Sequence, residues 1–332
     1  MIPLADTGFA EATWILIVKS VVIFAVAFAV LPLLTVLERK LIGRLQNRYG
    51  PNRVGPFGIL QPLADVGKLV GKEPFRPENA VATLYVLGPA LMVLSAVLAL
   101  AIIPFGDVKD GVGFYGIDVS IGILYFFAAG SIGFYGLLLG GWASGSKYSF
   151  LGAMRSAAQL ISYEVSMGLA LLGVVMMAGS LSLVDIVRQQ GEVWYVVPQL
   201  VGFLLFMVAG FAETNRAPFD LAEADSELVQ GFMTEYGGMR FGTFLLVEYL
   251  EMTVVSGIAA AMFLGGWMGP GPGFLDPFWM AAKILVLLCF FIWVRATLPR
   301  LRYDQLMALG WKVMLPLATL NVLVTAVLVV VA

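Results

Sequence analysis

The chain has 332 residues, 60% of them hydrophobic and 13% charged, with a formal net charge of −2 and a mean hydropathy of +0.91. This composition excludes a soluble domain and indicates a polytopic membrane protein. One cysteine, Cys289, and no histidine exclude a disulfide framework and leave no ligand set for haem, an iron-sulfur cluster or a conventional zinc site. We therefore expect no metal and no cofactor on this chain alone. The near-zero charge gives no sign of nucleic-acid binding, and we expect none.

Apolar windows long enough to cross about 30 Å of hydrocarbon predict an all-α fold with eight transmembrane helices. The first window lacks the basic flank of a cleavable signal, so we expect it to be retained. No internal repeat or pair of broken helices is apparent, so residues 1–332 are predicted to form a single membrane domain. The predicted spans are 13–37, 80–104, 119–141, 157–178, 194–212, 243–265, 277–297 and 311–331.

Basic residues predict the orientation of these spans. The first connection carries eight Lys and Arg residues, whereas the connections on the opposite side carry only Lys109 and Arg188. By the positive-inside rule the first connection is cytoplasmic and both termini lie on the outer side. The predicted cytoplasmic loops are 38–79, 142–156, 213–242 and 298–310, and we expect the function on that face.

The first cytoplasmic loop contains a turn-rich stretch, 49–56, and then a helical pattern at 58–70. Asp65 and Lys68 fall outside the apolar face, which is typical of an amphipathic helix lying in the membrane interface. Such a helix would flank an opening from the lipid, although a surface helix that only anchors the loop fits the pattern equally well. The apolar positions are 59, 60, 63, 66, 69 and 70.

The segment 211–232 holds more carboxylates than any other stretch. Asp220 and Glu223 follow Pro218 and predict a short helix over 221–229 with Asp220 as its N-cap. Glu223 and Glu227 would then share a face, and in a partly buried site each would raise the pKa of the other. They are candidates for proton uptake near neutral pH; a solvated acidic loop is the alternative.

Other carboxylates fall within or beside the predicted spans, where ionisable groups usually have a function. Without histidine, a proton path would use carboxylates, tyrosine hydroxyls and water. Arginines at the same face are suited to pairing with some of these carboxylates. The carboxylates are Glu164, Glu213, Glu235, Glu248 and Glu251, and the arginines are Arg216, Arg240, Arg295, Arg300 and Arg302.

Together these motifs resemble one family, the quinone-site membrane subunit of respiratory complex I, a proton-pumping NADH-quinone oxidoreductase. The resemblance spans nearly the whole chain. It rests on the motifs at 38–56, 61–68, 72–74, 213–223 with 226–228, and 295–306.

The resemblance implies that quinone enters from the bilayer near the first and sixth spans and the amphipathic helix. It also implies a chamber shared with two peripheral-arm subunits, one of the 49-kDa type and one carrying the terminal iron-sulfur cluster, with FMN and the clusters in partner subunits. Small and antiporter-like membrane subunits would be neighbours, in a bacterial inner membrane with both termini periplasmic. The implied residues of the quinone chamber and its access route are Glu38, Arg39, Arg48, Asp65, Lys68, Arg216, Phe232, Arg295 and Arg300. The implied proton path is Asp65, Tyr163, Glu164, Glu213, Glu223, Glu227, Glu235 and Glu248, while Glu251 has no assigned role.

The expected mechanism follows from electrostatics. Quinone reduction develops negative charge in an enclosed chamber, which favours protonation of nearby carboxylates and passage of the protons inward. A stand-alone carrier or cation antiporter is one alternative, disfavoured by the lack of repeats. A structural anchor, or the related component of a membrane-bound hydrogenase, is another; the hydrogenase relatives carry a different acidic-loop pattern with histidine.

Overall fold

The computed structural model describes residues 13–109, 112–222 and 225–331, and these are mainly helical. Short 3₁₀ turns lie at Pro56–Gly58, Gly231–Met233 and Gly273–Leu275, and a π-helical turn at Leu309–Met314 joins the last two helices. The helices are α1 Thr13–Leu45, α2 Gln61–Gly71, α3 Ala82–Ala101, α4 Gly122–Ala143, α5 Lys147–Ala178, α6 Leu183–Gln189, α7 Leu200–Glu213, α8 Asp225–Leu228, α9 Gly238–Phe263, α10 Asp276–Thr297, α11 Tyr303–Ala308 and α12 Leu315–Val331.

Seven helical runs in the described part of the chain are long and apolar enough to cross a membrane, with α11 and α12 forming one of them. The predicted all-α polytopic membrane fold is confirmed. The predicted span at 194–212 corresponds to α7, an apolar helix of 14 residues that begins at Leu200. Its start is late because Pro198 cannot donate within a helix interior. The preceding turn is instead held by the buried Gln190, whose Oε1 accepts hydrogen bonds from the backbone N–H groups of Tyr195 and Gly265.

Several predicted loops are shorter in the structure. The loop ends were predicted from the positions of charged side chains, but a helix continues past such residues as long as its backbone hydrogen bonds continue. The predicted loop 142–156 is reduced to 144–146, since α5 begins at Lys147. In the predicted loop 298–310, only 298–302 lies outside helical turns. The predicted amphipathic helix is present as α2.

The connection between α3 and α4 contains a feature that the pattern did not predict. Strands β1 Pro104–Lys109 and β2 Val112–Tyr115 pair antiparallel, with Val108 opposite Gly113 and an irregularity between Pro104 and Val108. The hairpin satisfies backbone groups that a loop at this position would leave unpaired.

Helix α9 lies at the centre of the bundle, packed against α3, α7 and α10. Its run Ala259–Ala261 is fully buried, which allows neighbouring helices to approach closely. By contrast, apolar side chains on α1 and α12 such as Val26 and Leu328 are exposed and suit a lipid or partner-subunit environment. Because α9 is central, the carboxylates that it carries lie inside the protein.

Candidate functional site

A cavity of about 330 Å³ lies between α1, α2 and α9. Its volume and its mixture of apolar walls with a few polar groups are typical of small-molecule sites. The amphipathic helix α2 supplies one wall through Asp65, Val66 and Leu69, so it flanks the cavity as well as anchoring the loop. The other lining residues are Leu31, Pro32, Thr35, Arg39, Pro62, Arg216, Gly242, Leu245, Leu246, Glu248, Tyr249 and Arg295.

Glu38, near the C-terminal end of α1, is buried behind residues that line this cavity and accepts hydrogen bonds from three of their side chains. Arg216 Nη1 lies 3.1 Å from Glu38 Oε1, and the Tyr249 hydroxyl donates to Oε2 at 2.5 Å. Arg295 Nη1 also donates to Oε1. A buried carboxylate requires such partners, because an unpaired charge in this environment is strongly unfavourable.

Arg216 is shared between two carboxylates. Its Nε lies 3.1 Å from Glu248 Oε1, and its guanidinium lies over the Tyr249 ring, 4.5 Å from the centroid. Burial would lower the pKa of Arg216, but the nearby Glu248 and Glu38 raise it above its ordinary value. Arg216 therefore stays cationic and joins α1 to α9 through its two carboxylate partners.

Asp65 holds α2 against α1 at the rim of the cavity. It accepts a hydrogen bond from Arg39 Nη1 at 2.8 Å and another from Gln61 Nε2 at 3.1 Å. Lys68 Nζ is 3.9 Å from the same carboxylate. These contacts are partly exposed and contribute little individually to stability, so they position the rim of the cavity.

Two smaller cavities lie further inside. The first, of about 20 Å³, is lined by Glu248, Glu251 and Asn215 among others. The second, of about 40 Å³, is lined by Glu251, Asn215 and Glu213. Glu248 therefore lines both the large cavity and the first inner one, and Glu251 lines both inner ones. The carboxylates form a row, because Glu248 and Glu251 are three residues apart on one face of α9.

The chain after α7 is fixed against α5 by side-chain hydrogen bonds. Gln159 Nε2 donates to the carbonyls of Ala212 and Phe219 at 2.7 and 2.9 Å, and Ser156 donates to Asn215 Oδ1 at 2.9 Å. Asn215 has φ of 49°, a left-handed conformation that asparagine tolerates better than most residues. These bonds set the positions of Glu213 and Arg216 on either side of the turn.

The acidic loop differs from expectation. Its short helix begins at Asp225 rather than Leu221, so Asp220 is not its N-cap, and Glu223 lies outside the described residues. Glu227 is exposed, and Arg155 Nη1 donates to it at 2.5 Å, which lowers the pKa of Glu227. The expected rise in the pKa of Glu227 toward neutral pH is therefore wrong, because the Arg155 hydrogen bond favours the charged form of this exposed carboxylate.

The remaining predicted residues are dispersed around the cavities. Glu164 lies close enough to Glu213 for their charges to interact. Tyr163 lines none of the three cavities, and its hydroxyl donates to the Leu306 carbonyl at 2.9 Å. Phe232 lines the first inner cavity. Three predicted residues lie outside the cavity linings. Arg48 Nε donates to Gln46 Oε1, and the Glu235 backbone carbonyl accepts from the Tyr85 hydroxyl. Arg300 Nη2 is buried without a hydrogen-bond partner among the described residues.

Sequence reasoning missed two contributors, Tyr249 and Asn215. Tyr249 follows Glu248 in the sequence, and Asn215 precedes Arg216. This position next to an identified residue was the only sequence signal that could have found them. Within the described ranges, no group of three or more His, Cys, Asp or Glu has an arrangement suited to a metal ion.

Comparisons with known proteins agree with the motifs. The family model for NADH dehydrogenase matches residues 18–326. The chain is 53% identical to an H-type NADH-quinone oxidoreductase subunit of Syntrophobacter fumaroxidans, covering 94% of this chain and 95% of the relative. It is also 53% identical to the protein of the same name from Geobacter sulfurreducens, covering 92% and 94%, and 49% identical to the H-type relative from Thermomicrobium roseum, covering 91% and 92%. The resemblance read from the motifs is thereby confirmed, and the chain belongs to the NADH dehydrogenase family of membrane subunits of NADH-quinone oxidoreductase.

Proposed function

We propose that this chain forms much of the quinone-binding chamber of a proton-translocating NADH-quinone oxidoreductase and couples quinone reduction to proton movement. The observation that carries the proposal is the position of Glu248, which lines both the 330 Å³ cavity and the first of the inner cavities. One side chain thus faces both the site of reduction and the protein interior.

The cavity walls suit a quinone. Leu31, Val66 and Leu245 supply apolar surface for the ring and tail, and Arg39 and Arg295 supply hydrogen-bond donors for carbonyl oxygens. Quinone would enter from the bilayer between α1 and α2. The remaining chamber walls, including the region of Arg48, Lys68 and Arg300, would be completed by the peripheral-arm subunits. Those subunits, the 49-kDa type and the carrier of the terminal iron-sulfur cluster, would hold the clusters, and the FMN would also lie in partner subunits.

The ion network supplies the coupling. Two-electron reduction of quinone adds negative charge beside Arg216, in a region where charges interact strongly. That charge competes with Glu248 and Glu38 for the arginine, and a carboxylate that loses its arginine takes up a proton more readily. Protons then move inward through Glu213 and Glu164 toward antiporter-like subunits. Asp65 and Glu235, with Glu223 in the acidic loop, would deliver protons from the cytoplasmic face, with both termini periplasmic in a bacterial inner membrane.

The test begins with the tagged chain purified gently from native membranes. Iron-sulfur absorption and inhibitor-sensitive reduction of a short-chain quinone by NADH are expected to co-purify. Glu213→Gln and Glu248→Gln are then expected to lower proton pumping in the reconstituted complex. Normal pumping in both variants would overturn the coupling role, and a colourless chain that purifies alone and exchanges ions would favour a carrier.

A further inference from the structure

Glu251 is a carboxylate whose role the motifs leave open. It follows Glu248 by three residues in the central helix α9, so both side chains project from the same face. It lines both inner cavities, whereas Glu248 and Glu213 each line only one of them. Glu251 is thus the carboxylate that lies between the other two.

A glycine face on α4 leaves space for these carboxylates. A Cβ at Gly133 would lie 3.8 Å from Glu251 Oε1 and 2.6 Å from Ser95 Oγ, and a Cβ at Gly130 would lie 3.7 Å from Glu213 Oε1. Glycine at both positions therefore keeps open the cavity that both carboxylates face. Both inner cavities exceed the roughly 10–15 Å³ that a water molecule requires.

Glu213 adds an independent observation. Its Oε2 is buried and has no hydrogen-bond partner among the described residues, although the side chain lines the inner cavity. A buried carboxylate oxygen without a protein partner is strongly unfavourable unless a proton or a water satisfies it. A proton on Glu213, or a water in the inner cavity, would therefore satisfy this oxygen.

We propose that Glu251 is the intermediate proton carrier between Glu248, at the quinone cavity, and Glu213, in the interior. The inference rests on the proposed function and adds one residue to it. A proton leaves the Glu248 carboxylic acid for the Glu251 carboxylate through the first inner cavity, and then leaves Glu251 for the Glu213 carboxylate through the second. Glu251 returns to its initial state after each transfer, so one proton moves and no other bond changes.

The neighbouring groups cannot take this role. Three of the described residues line both inner cavities: Met92, Asn215 and Glu251. Met92 carries no exchangeable proton, and the Asn215 amide forms hydrogen bonds without holding an extra proton. Of these three, the carboxylate of Glu251 is the group that both accepts and releases a proton at this junction.

A matched pair of variants in the complete enzyme tests the proposal. Glu251→Gln keeps the size and hydrogen-bonding capacity of the side chain but removes its proton-carrying group, whereas Glu251→Asp keeps the carboxyl and shortens the side chain. We expect pumping in proteoliposomes, followed with a pH-sensitive dye during NADH oxidation, to fall on the order of 10²-fold in Glu251→Gln. Glu251→Asp should retain far more. A structural role predicts the opposite ranking, because glutamine preserves shape better than aspartate.

A spectroscopic measurement separates a proton carrier from a packing residue. The time-resolved infrared spectrum of the enzyme during turnover is expected to contain a transient change in a protonated-carboxyl band, and this change should disappear in Glu251→Gln. If glutamine prevents assembly, Glu251→Asn and Glu251→Asp form a second pair of equal length. Equal pumping by that pair, or wild-type pumping and spectrum in Glu251→Gln, would overturn the proposal.

Comparing Glu251→Gln with Glu213→Gln separates the carrier role of Glu251 from the proposed function of the chain. Impaired pumping in Glu213→Gln with normal pumping in Glu251→Gln would remove Glu251 from the path and leave the proposed function in place. Normal pumping in both would remove the carboxylate path itself.

Discussion

Glu38 and Arg216 are 178 residues apart in the sequence, yet their side chains form a buried ion pair with Oε1 and Nη1 3.1 Å apart. Both side chains are about 5% exposed, so neither charge is solvated by bulk water. The pair joins the end of the first spanning helix to the turn after α7. Because Arg216 also faces Glu248, the contact links a structural junction to the candidate coupling site.

Removing Arg216 should destabilise the protein strongly. Arg216→Gln leaves Glu38 and Glu248 without their shared cation, at an expected cost of about 3–5 kcal/mol. The thermal unfolding midpoint of the purified complex measures this effect. In the double variant Glu38→Gln with Arg216→Gln part of the loss should be recovered, since the buried charge of Glu38, which would keep only Arg295 as its cation, is removed as well. A loss of stability in the double variant equal to the sum of the losses in the two single variants would contradict a direct interaction.

Filling the large cavity from α2 should impede quinone access. Val66 lines the cavity, so Val66→Trp is expected to raise the KM for a long-chain quinone several-fold, while leaving other contacts of α2 in place. Val70 lies on the same helix, is 64% exposed and does not line the cavity. Val70→Trp is therefore the matched control, and steady-state kinetics with quinones of different tail length is the measurement. An equal effect of both substitutions would argue against access along α2.

Narrowing the inner cavity should slow proton transfer without harming the fold. In Gly130→Ala, apart from the two chain neighbours and the local backbone of α4, the only described atom within 4 Å of the new methyl group is Glu213 Oε1, at 3.7 Å, which is an ordinary van der Waals contact. The methyl group takes up part of a cavity of about 40 Å³, and we expect several-fold slower pumping with normal assembly.

The matched control is Gly168→Ala in α5, where the new methyl group meets the Phe127 ring, at 3.7 and 4.0 Å. Pumping and complex abundance are measured in both variants. Unchanged pumping in Gly130→Ala would show that the space beside Glu213 is not used by protons.

The acidic loop should show an acid-sensitive contact with α5. The Arg155 hydrogen bond lowers the pKa of Glu227 below its ordinary value of 4.5, so the folded state binds this proton less readily than the unfolded chain. The contribution is complete above pH 4.5 and is lost as pH falls through the lowered value. The protection of residues 227–234 against hydrogen exchange, relative to the intrinsic rate at each pH, should fall over that range, and Glu227→Gln should abolish this fall. A transition near pH 7 that depends on Glu227 would contradict this contact.

Much of the fold follows from local sequence. Hydropathy summed over about 20 residues predicts membrane spans, because the transfer energy of each side chain is nearly independent of its neighbours. The amphipathic pattern at 58–70 predicts α2 for the same reason, since a helix face is defined by spacing alone. Candidate residues such as Arg216 and Glu248 were identified from the improbability of charge in or beside an apolar span, whereas the site roles of Glu38 and Asp65 were implied by the family resemblance.

Boundaries and partners depended on tertiary structure. The polar residues around Lys147 predicted a loop, yet α5 begins there. A helix boundary is set by its backbone hydrogen bonds and not by the position of charged side chains. Glu227 pairs with Arg155, which is 72 residues away in the sequence, and local spacing could not predict this partner. The sequence by itself determined that this protein is a bundle of membrane helices carrying embedded carboxylates. The packing of the helices decided that Arg216 pairs with both Glu38 and Glu248 beside one cavity, with Glu251 further inside. Such contacts join residues far apart in the chain and arise only once the helices are packed.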